Sequence, residues 1–256
     1  MVLVRVHSAK GSVPRGTGTW MAVCSDATIA TIGGGHLEWQ AITHAKTLLA
    51  KAPAADVVDE VMHFKLGPSL GQCCGGALDL RFEYLAPGSH DSLLSSLQPS
   101  YQTVALFGGG HVGHAIERAL GPLPFNLMWV DSRDEVFPAE VGEGVVLEHS
   151  NPVQAAVADV PANALVLIMS FSHAEDLDVV VQCLSRQRAQ ADLPFVGLIG
   201  SKTKWATFQN RLRERGFSDS EIAHVTCPIG VPHVVGKEPT VIAAAVVAQL
   251  LQHRVH

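Results

Sequence analysis

The chain has 256 residues, of which 47% are hydrophobic, and its formal net charge at pH 7 is -6. A chain of this length can bury one large core or two modest cores, and its negative charge argues against a nucleic-acid partner. No stretch is long and apolar enough to predict a membrane span. The five cysteines are an odd number and do not suggest a disulfide framework, so we expect a reducing, cytoplasmic location.

Residues 1–86 predict a mixed α+β domain. Three strands come first, a helix follows, and two further strands alternate apolar and polar residues, as strands with one wet face do. We predict strands at residues 2–7, 19–24, 28–32, 57–65 and 77–85, and the helix at residues 36–51.

Residues 87–102 predict a linker, because residues that favour turns are concentrated there. Within this linker we predict one short helix through Leu93, Leu94 and Leu97. Residues 103–256 then alternate strand and helix signals, which is typical of a parallel sheet with right-handed crossovers. The predicted fold class is therefore α/β, with an N-terminal mixed α+β domain followed by a Rossmann-like parallel-sheet domain. We predict strands at residues 103–107, 125–130, 145–147, 164–170 and 195–199, and helices at residues 175–190, 205–215 and 239–253.

A loop with two adjacent cysteines is the most unusual feature of the first half. Residues 66–76 read LGPSLGQCCGG and place Cys73 beside Cys74 in a glycine-rich segment that carries almost no charge. A disulfide between neighbours would distort the peptide that joins them. Thiols beside free backbone N–H groups suggest a soft-metal ligand, a sulfur carrier or a redox centre. The alternative is that the two cysteines only fit a tight loop.

Two other glycine-rich loops lie in the same half. Gly33, Gly34 and Gly35 join a strand to a helix, where free N–H groups can hold a phosphate or a pterin carbonyl. Glu38 is part of this loop's pattern, and it can instead cap its own helix by reaching back to those N–H groups. Residues 11–16 form a rigid turn around Arg15, which suits an anion because a guanidinium presents a fork of donors. A solvated turn is the alternative there.

The second half contains a possible dinucleotide fingerprint. Gly108, Gly110 and Gly113 have the G-x-G-x-x-G spacing after a predicted strand and at the start of a helix. Asp131 ends the next strand, where an acidic residue can bind a ribose hydroxyl. Arg133 lies close by in the sequence, so a cofactor with a 2′-phosphate is also compatible with this pattern. The alternative is a Rossmann-shaped domain that has lost its nucleotide.

His173 follows the strand predicted at residues 164–170, with Asp176 and Asp178 just beyond it. Ligand crevices of open α/β sheets lie at the carboxyl ends of the strands. A histidine there can act as an acid, a base or a ligand. It can equally cap the helix that follows.

Three motifs in the first half together resemble the signatures of the xanthine dehydrogenase accessory factor family, XdhC. They read GSVPR at residues 11–15, TIGGGHLE at residues 31–38 and LGPSLGQCCGG at residues 66–76. The second half is similar to that family's Rossmann domain, and the resemblance keeps motif order along nearly the whole chain. Two departures are the opening strand, where the family usually has a helix first, and residues 231–233, where the family tends to be more aliphatic. The matching stretches of the second half are residues 107–113, 196–202 and 228–230.

The resemblance implies a non-enzymatic maturation factor that binds molybdenum cofactor (molybdopterin). Its implied partners are a cysteine desulfurase for cofactor sulfuration, a xanthine dehydrogenase subunit that receives the cofactor, and a second copy of the chain in a homodimer. Cys73 is the implied residue for holding the cofactor, as a molybdenum ligand or by passing sulfur, with Cys74 beside it. The other implied binding residues are Gln72, Gly75 and Gly76 in the same loop, and Ser12, Arg15, Gly34, Gly35 and Glu38 in a second wall.

Two other functions fit the residues. The glycine fingerprint with Asp131 suggests an NAD(P)-dependent oxidoreductase as the alternative hypothesis. A protein–protein adaptor whose cofactor sites are vestigial is a third possibility.

Overall fold

The computed structural model describes residues 1–51, 59–67, 75–85, 97 and 101–254. The chain divides into two compact units, residues 1–98 and residues 99–256. This division falls inside the segment predicted as a linker. Of the short helix predicted there, Leu93 and Leu94 lie outside the described residues, and Leu97 is helical.

The first unit contains a five-stranded antiparallel sheet with one long helix packed against it. The strand order is β3-β2-β1-β5-β4, so the first strand of the chain lies at the centre. Each element corresponds to one predicted from the sequence. The bounds are β1 Val2–Lys10, β2 Trp20–Val23, β3 Thr28–Ala30, α1 Gly35–Lys51, β4 Asp59–Lys65 and β5 Ala77–Tyr84.

Helical and strand periodicities together form the core of this unit. Helix α1 buries residues spaced three or four apart, which lie on one face of a helix. Strand β1 buries alternate valines on the face that meets this helix. Burying an aliphatic side chain of this size stabilises a fold by roughly 1.5–3 kcal/mol. The residues concerned are Leu37, Ala41, Ala45 and Leu48 of α1, and Val2, Val4 and Val6 of β1.

The second unit is a Rossmann-like domain with a six-stranded parallel sheet. The strand order is β11-β10-β9-β6-β7-β8, so the direction of winding changes between β6 and β9. The carboxyl ends of those two strands mark the place where such folds hold ligands. The bounds are β6 Gln102–Phe107, α2 His111–Leu120, β7 Phe125–Asp131, β8 Val145–His149, β9 Leu165–Ile168, α3 His173–Gln190, β10 Phe195–Leu198, α4 Lys202–Glu214, α5 Asp219–Ile222, β11 Val225–Thr226 and α6 Pro239–Gln252.

Helices cover both faces of this sheet, as a parallel sheet with apolar strands on both sides requires. Helices α3 and α4 pack on one face with the 3₁₀ helix Val153–Ala158, and α2 and α6 pack on the other. Among the described residues, no helix combines the length and apolar character that a bilayer crossing needs.

Candidate functional site

The three glycine-rich motifs of the first half meet at one edge of the first unit's sheet. Strand β1 ends at Lys10 beside the first motif, and Lys10 pairs with Ala77 at the start of β5. Lys65 at the end of β4 also pairs with Ala77, so the double-cysteine loop connects a hairpin at the same edge. Helix α1 begins at Gly35, directly after the triple-glycine run. The prediction that strands flank the cysteine loop is confirmed.

Gly33 brings the first two motifs into contact. Its φ is +122°, a left-handed backbone that favours glycine. A Cβ at this position would lie 2.5 Å from Cβ of Pro14 and 3.4 Å from Cγ of Arg15. The close approach therefore depends on the absence of a side chain at Gly33.

Gly76 joins the end of the double-cysteine loop to the first motif. Its N–H donates to the carbonyl of Ser12 at 3.2 Å, and its own carbonyl accepts from the Leu66 N–H at 2.8 Å. A Cβ on Gly76 would lie 2.4 Å from the Ser12 carbonyl oxygen and 2.6 Å from that of Lys10. Gly75 before it is exposed. Gln72, Cys73 and Cys74 lie outside the described residues.

Glu38 holds the triple-glycine loop together. One of its carboxylate oxygens accepts hydrogen bonds from the N–H groups of Ile32 at 3.0 Å and Gly34 at 3.1 Å, and from the Thr31 hydroxyl. Of the two roles that the sequence left open for Glu38, the structure shows the one in which it reaches back to free N–H groups ahead of its helix. Thr31 and Pro14 belong to this arrangement too, and neither was among the predicted binding residues.

The edge also presents unused hydrogen-bond donors. The backbone N–H groups of Gly35, His36 and Leu37 have no acceptor among the described residues, and they lie at the positive end of the helix dipole. Arg15 is exposed and also has no partner in the described part of the chain. Trp39 is 61% exposed one turn into α1 and stacks on His36, with 5.4 Å between the ring centroids. This donor set suits an anionic ligand.

In the second unit, the fingerprint glycines lie at the carboxyl end of β6. Gly108 and Gly113 are needed for packing, because a Cβ would lie 2.0 Å from the Met169 carbonyl oxygen at Gly108 and 2.4 Å from the Gly108 oxygen at Gly113. Gly110 differs, since a Cβ there would meet no atom within 4 Å in the part of the chain that the structure describes. The backbone at Gly110 therefore borders open space.

Asp131 is buried, and its carboxylate is fully engaged by the protein. It accepts from the Gly109 N–H at 2.6 Å and from three donors of Arg133, the backbone N–H and Nε at 2.9 Å and Nη2 at 3.0 Å. Burial would raise the pKa of Asp131, but the hydrogen bonds from Arg133 and Gly109 outweigh it and hold the pKa below its ordinary value.

His173 is the first residue of α3 and does not cap it. Ser172 is the N-cap, and its hydroxyl accepts from the Glu175 N–H at 3.2 Å. The His173 ring packs edge-on against Phe208, with 6.4 Å between centroids. Of the two roles considered for His173, the capping role is therefore wrong.

A buried ion pair joins the first turns of α3 and α4, the helices that follow β9 and β10. Lys204 Nζ lies 2.6 Å from Asp176 Oδ2, and the two side chains are only 10% and 3% exposed. The second Asp176 oxygen accepts from the Ser170 N–H at 2.7 Å, and Lys204 also donates to the Ile199 carbonyl at 2.9 Å. Sequence analysis noted Asp176 but missed its partner. The sequence feature that could have indicated this partner is Lys204, which follows the Gly200-Ser201 turn after the end of β10.

The second unit's cysteines are poor candidates for thiol chemistry. Complete burial raises the pKa of Cys183 to about 12, and partial burial raises the pKa of Cys227 to about 11. Thiolate is the reactive form of cysteine, so both thiols are unreactive at neutral pH. Within the described ranges, no group of three or more histidine, cysteine or acidic side chains could hold a metal ion.

We predict that iodoacetamide at pH 8 leaves Cys183 and Cys227 unmodified in the folded protein, while it alkylates both after denaturation. Peptide mass spectrometry at several reaction times gives the rate at each cysteine. Cys24 in the first unit is a half-buried free cysteine and serves as an internal reference. Fast alkylation of Cys183 in the folded chain would contradict its burial.

Taken together, the geometry defines a two-unit protein with a donor-rich edge in one unit and a Rossmann fold in the other. A family model for the XdhC Rossmann domain matches residues 104–250, and a model for the XdhC and CoxI family matches residues 1–62. The first match alone covers more than half of the chain. The chain belongs to the XdhC family, as the sequence motifs predicted.

The chain is also similar to two individual proteins. The chain is 24% identical over 258 aligned residues to the uncharacterized protein YqeB of Escherichia coli (strain K12), and the alignment covers 98% of this chain. The chain spans only 43% of the length of that relative. A crystal structure of a xanthine dehydrogenase from Bacillus halodurans has a similar fold, with a TM-score of 0.76 at 17% identity, over 98% of this chain and 90% of that one.

Proposed function

We propose that the chain is a molybdenum-cofactor-binding accessory chaperone that supports sulfuration of the cofactor and its insertion into xanthine dehydrogenase. The observation that carries the proposal is the meeting of three glycine-rich loops at one edge of the first unit, through Gly33 against Pro14 and Gly76 against Ser12. Membership of the XdhC family supports the same role.

The described residues at this edge fit the cofactor's chemistry. Molybdopterin is an anionic pterin dithiolene with a phosphate, so it needs donors and tolerates no free carboxylate nearby. The N–H groups of Gly35 and His36 and the guanidinium of Arg15 are donors without partners among the described residues. One oxygen of the Glu38 carboxylate accepts three hydrogen bonds from its own loop, which stabilise its charge. When bound, the cofactor supplies the molybdenum centre, and the chain supplies its binding and protection.

Cys73 and Cys74 would complete the site from the third loop. A thiolate suits a soft metal centre and can also hold persulfide sulfur during transfer. The loop that carries them ends at Gly76, which is hydrogen-bonded to the first motif. In the proposed role, a cysteine desulfurase delivers sulfur at this loop, a xanthine dehydrogenase subunit receives the finished cofactor, and the chain acts as a homodimer. In this role the chain acts as a maturation factor.

The alternative function, an NAD(P)-dependent oxidoreductase, has less support. It would use Asp131 to bind ribose, but every hydrogen-bonding position of that carboxylate is filled by donors of Gly109 and Arg133.

We predict that Cys73→Ala lowers the cofactor content of the protein. Protein purified from a host that makes the cofactor is assayed for molybdenum by mass spectrometry and for pterin by fluorescence after oxidation. Loss of a metal ligand should reduce loading by at least about tenfold, since even outer partners of metal sites contribute 10–100-fold to affinity.

Cys24→Ala is the matched control for this experiment. Cys24 follows β2 at the opposite edge of the same sheet, since Val23 pairs with Val2 at the start of β1. Its substitution should leave loading unchanged. Equal loading of Cys73→Ala and wild type would remove Cys73 from the site. Absence of pterin from the wild type, in cells whose xanthine dehydrogenase is fully loaded, would reject the chaperone function itself.

A further inference from the structure

The crevice at the switch point of the Rossmann unit is bridged by the protein's own side chains. It lies between the carboxyl ends of β6 and β9. Arg133, in the loop after β7, extends across to the loop after β9 and covers the ring of Phe171, with 4.3 Å from its guanidinium carbon to the ring centroid. Phe171 is 66% exposed, so the stacked pair lies at the surface.

A second link crosses at the same place. The Ser132 hydroxyl donates to Glu175 Oε1 at 2.8 Å, and the Phe171 N–H donates to Glu175 Oε2 at 3.1 Å. Glu175 lies in the first turn of α3 and so joins the loops after β7 and β9. The bridge formed by Ser132, Arg133, Phe171 and Glu175 is called the crevice strap below.

The strap and Asp131 together occupy the ribose end of a dinucleotide site. A carboxylate has about four lone-pair positions, and Asp131 uses four for the Gly109 and Arg133 donors. A ribose could hydrogen-bond to this carboxylate only after Arg133 had left it. Val136 adds to the closure, because its Cγ2 lies 2.4 Å from the place where a Cβ on Gly109 would stand.

The phosphate end of the same site remains intact. Gly110 borders open space, and the N–H groups of Gly110, His111 and Val112 have no acceptor among the described residues. Free N–H groups at a helix start favour phosphate oxygens. Half of the site therefore suits a dinucleotide, and the other half is filled from within the chain.

We propose that Arg133 is a specificity-determining residue that excludes dinucleotides from the Rossmann crevice by occupying the ribose end in their place. With the crevice strap in place, the residues present do not fit NAD(P) as a resident cofactor. Displacing the guanidinium breaks two hydrogen bonds to a buried charge, each of which changes an equilibrium by roughly tenfold or more. Removal of Arg133 should therefore create binding that the natural chain lacks.

Isothermal titration of the full chain with ADP-ribose and with NAD⁺ tests this inference. We expect no heat of binding for wild type at ligand concentrations up to about 1 mM, and at least about tenfold tighter binding for Arg133→Ala. Phe171→Ala removes the stacking partner and keeps the Arg133–Asp131 pair, so it should give a smaller gain. Arg215→Ala is the matched control, since Arg215 is an exposed arginine of the same unit that lies 4.0 Å from Asp178.

Two results would overturn the proposal. One is stoichiometric micromolar binding of NAD⁺ or ADP-ribose by the wild type. The other is an Arg133→Ala protein that keeps its fold by circular dichroism and binds no better than wild type. If Arg133→Ala does not fold, Phe171→Ala decides the question, because a gain over wild type supports the strap and equal binding rejects it.

Discussion

Gly76→Ala is expected to destabilise the first unit strongly, although it adds only one methyl group. The added Cβ would stand 2.4 Å from the Ser12 carbonyl oxygen and 2.6 Å from that of Lys10. Both neighbours are backbone atoms of the central strand or the loop directly after it, so neither can turn away as a flexible side chain could. We expect a loss of about 3 kcal/mol, the upper range for overpacking.

Thermal unfolding followed by calorimetry measures this loss. For a unit of this size, 1 kcal/mol corresponds to about 4–8 °C, so the melting temperature of the first unit should fall by roughly 12–24 °C. Gly75→Ala is the matched control, because Gly75 is the preceding residue and a Cβ there would meet no atom of the described residues within 4 Å. It should change the free energy of unfolding by less than about 0.5 kcal/mol. Equal effects of the two substitutions would contradict the close contact at Gly76.

The same pair of variants separates loop geometry from cysteine chemistry. Gly76→Ala keeps both cysteines and forces the loop away from the Ser12 motif. If the proposed cofactor site needs all three loops, its molybdenum and pterin content should fall even at temperatures where the unit stays folded. Gly75→Ala should keep the wild-type content. This comparison tests the convergence that carries the proposed function.

The architecture of both units could be predicted from the sequence, because strong periodicity governs the elements. The residues of α1 that face the core repeat every three or four positions, and every second residue of β1 from Val2 to Val6 lies in the core of the first unit. Besides the 3₁₀ helices Asp134–Val136 and Val153–Ala158, two elements were not predicted from the sequence, β11 Val225–Thr226 and α5 Asp219–Ile222. Both are too short to show a period, and β11 is defined by its backbone pairing with β10.

The loops of the candidate site could be predicted from the sequence, but the hydrogen-bond partners of its carboxylates could not. Glycine spacing identified the three loops and the fingerprint, since those residues reflect backbone requirements that are local. The use of Glu38 and Asp131 depends on which donors the fold brings near each carboxylate. The Glu38 carboxylate accepts hydrogen bonds from Ile32 and Gly34, and the Asp131 carboxylate accepts them from Arg133 and Gly109. The sequence alone does not show that these donors lie within hydrogen-bonding distance. A carboxylate next to a glycine loop has the same sequence pattern whether it binds a ligand or the loop.

Asp176→Asn is expected to cost the second unit roughly 3–5 kcal/mol, the usual loss when one partner of a buried ion pair is removed. The amide keeps an acceptor for the Ser170 N–H but leaves Lys204 as a cation that is 10% exposed and has no counter-charge within the pair. Urea unfolding measures the change. Asp219→Asn is the matched control, because Asp219 pairs with Arg213 at the surface, where such pairs contribute about 0–1 kcal/mol.

The double variant Asp176→Asn with Lys204→Met shows whether the ion pair stabilises the fold or only offsets the cost of burying its two charges. Methionine has no charge and fills a volume similar to that of lysine. The double variant should therefore recover part of the free energy of unfolding that Asp176→Asn loses, with a coupling free energy of about 2 kcal/mol. Additive effects would mean that the two side chains act separately, in spite of their 2.6 Å contact. Lys204 also donates to the Ile199 carbonyl, and Asp176 accepts from the Ser170 N–H. Complete recovery would therefore show that the charges, and not these loop contacts, account for the cost of breaking the pair.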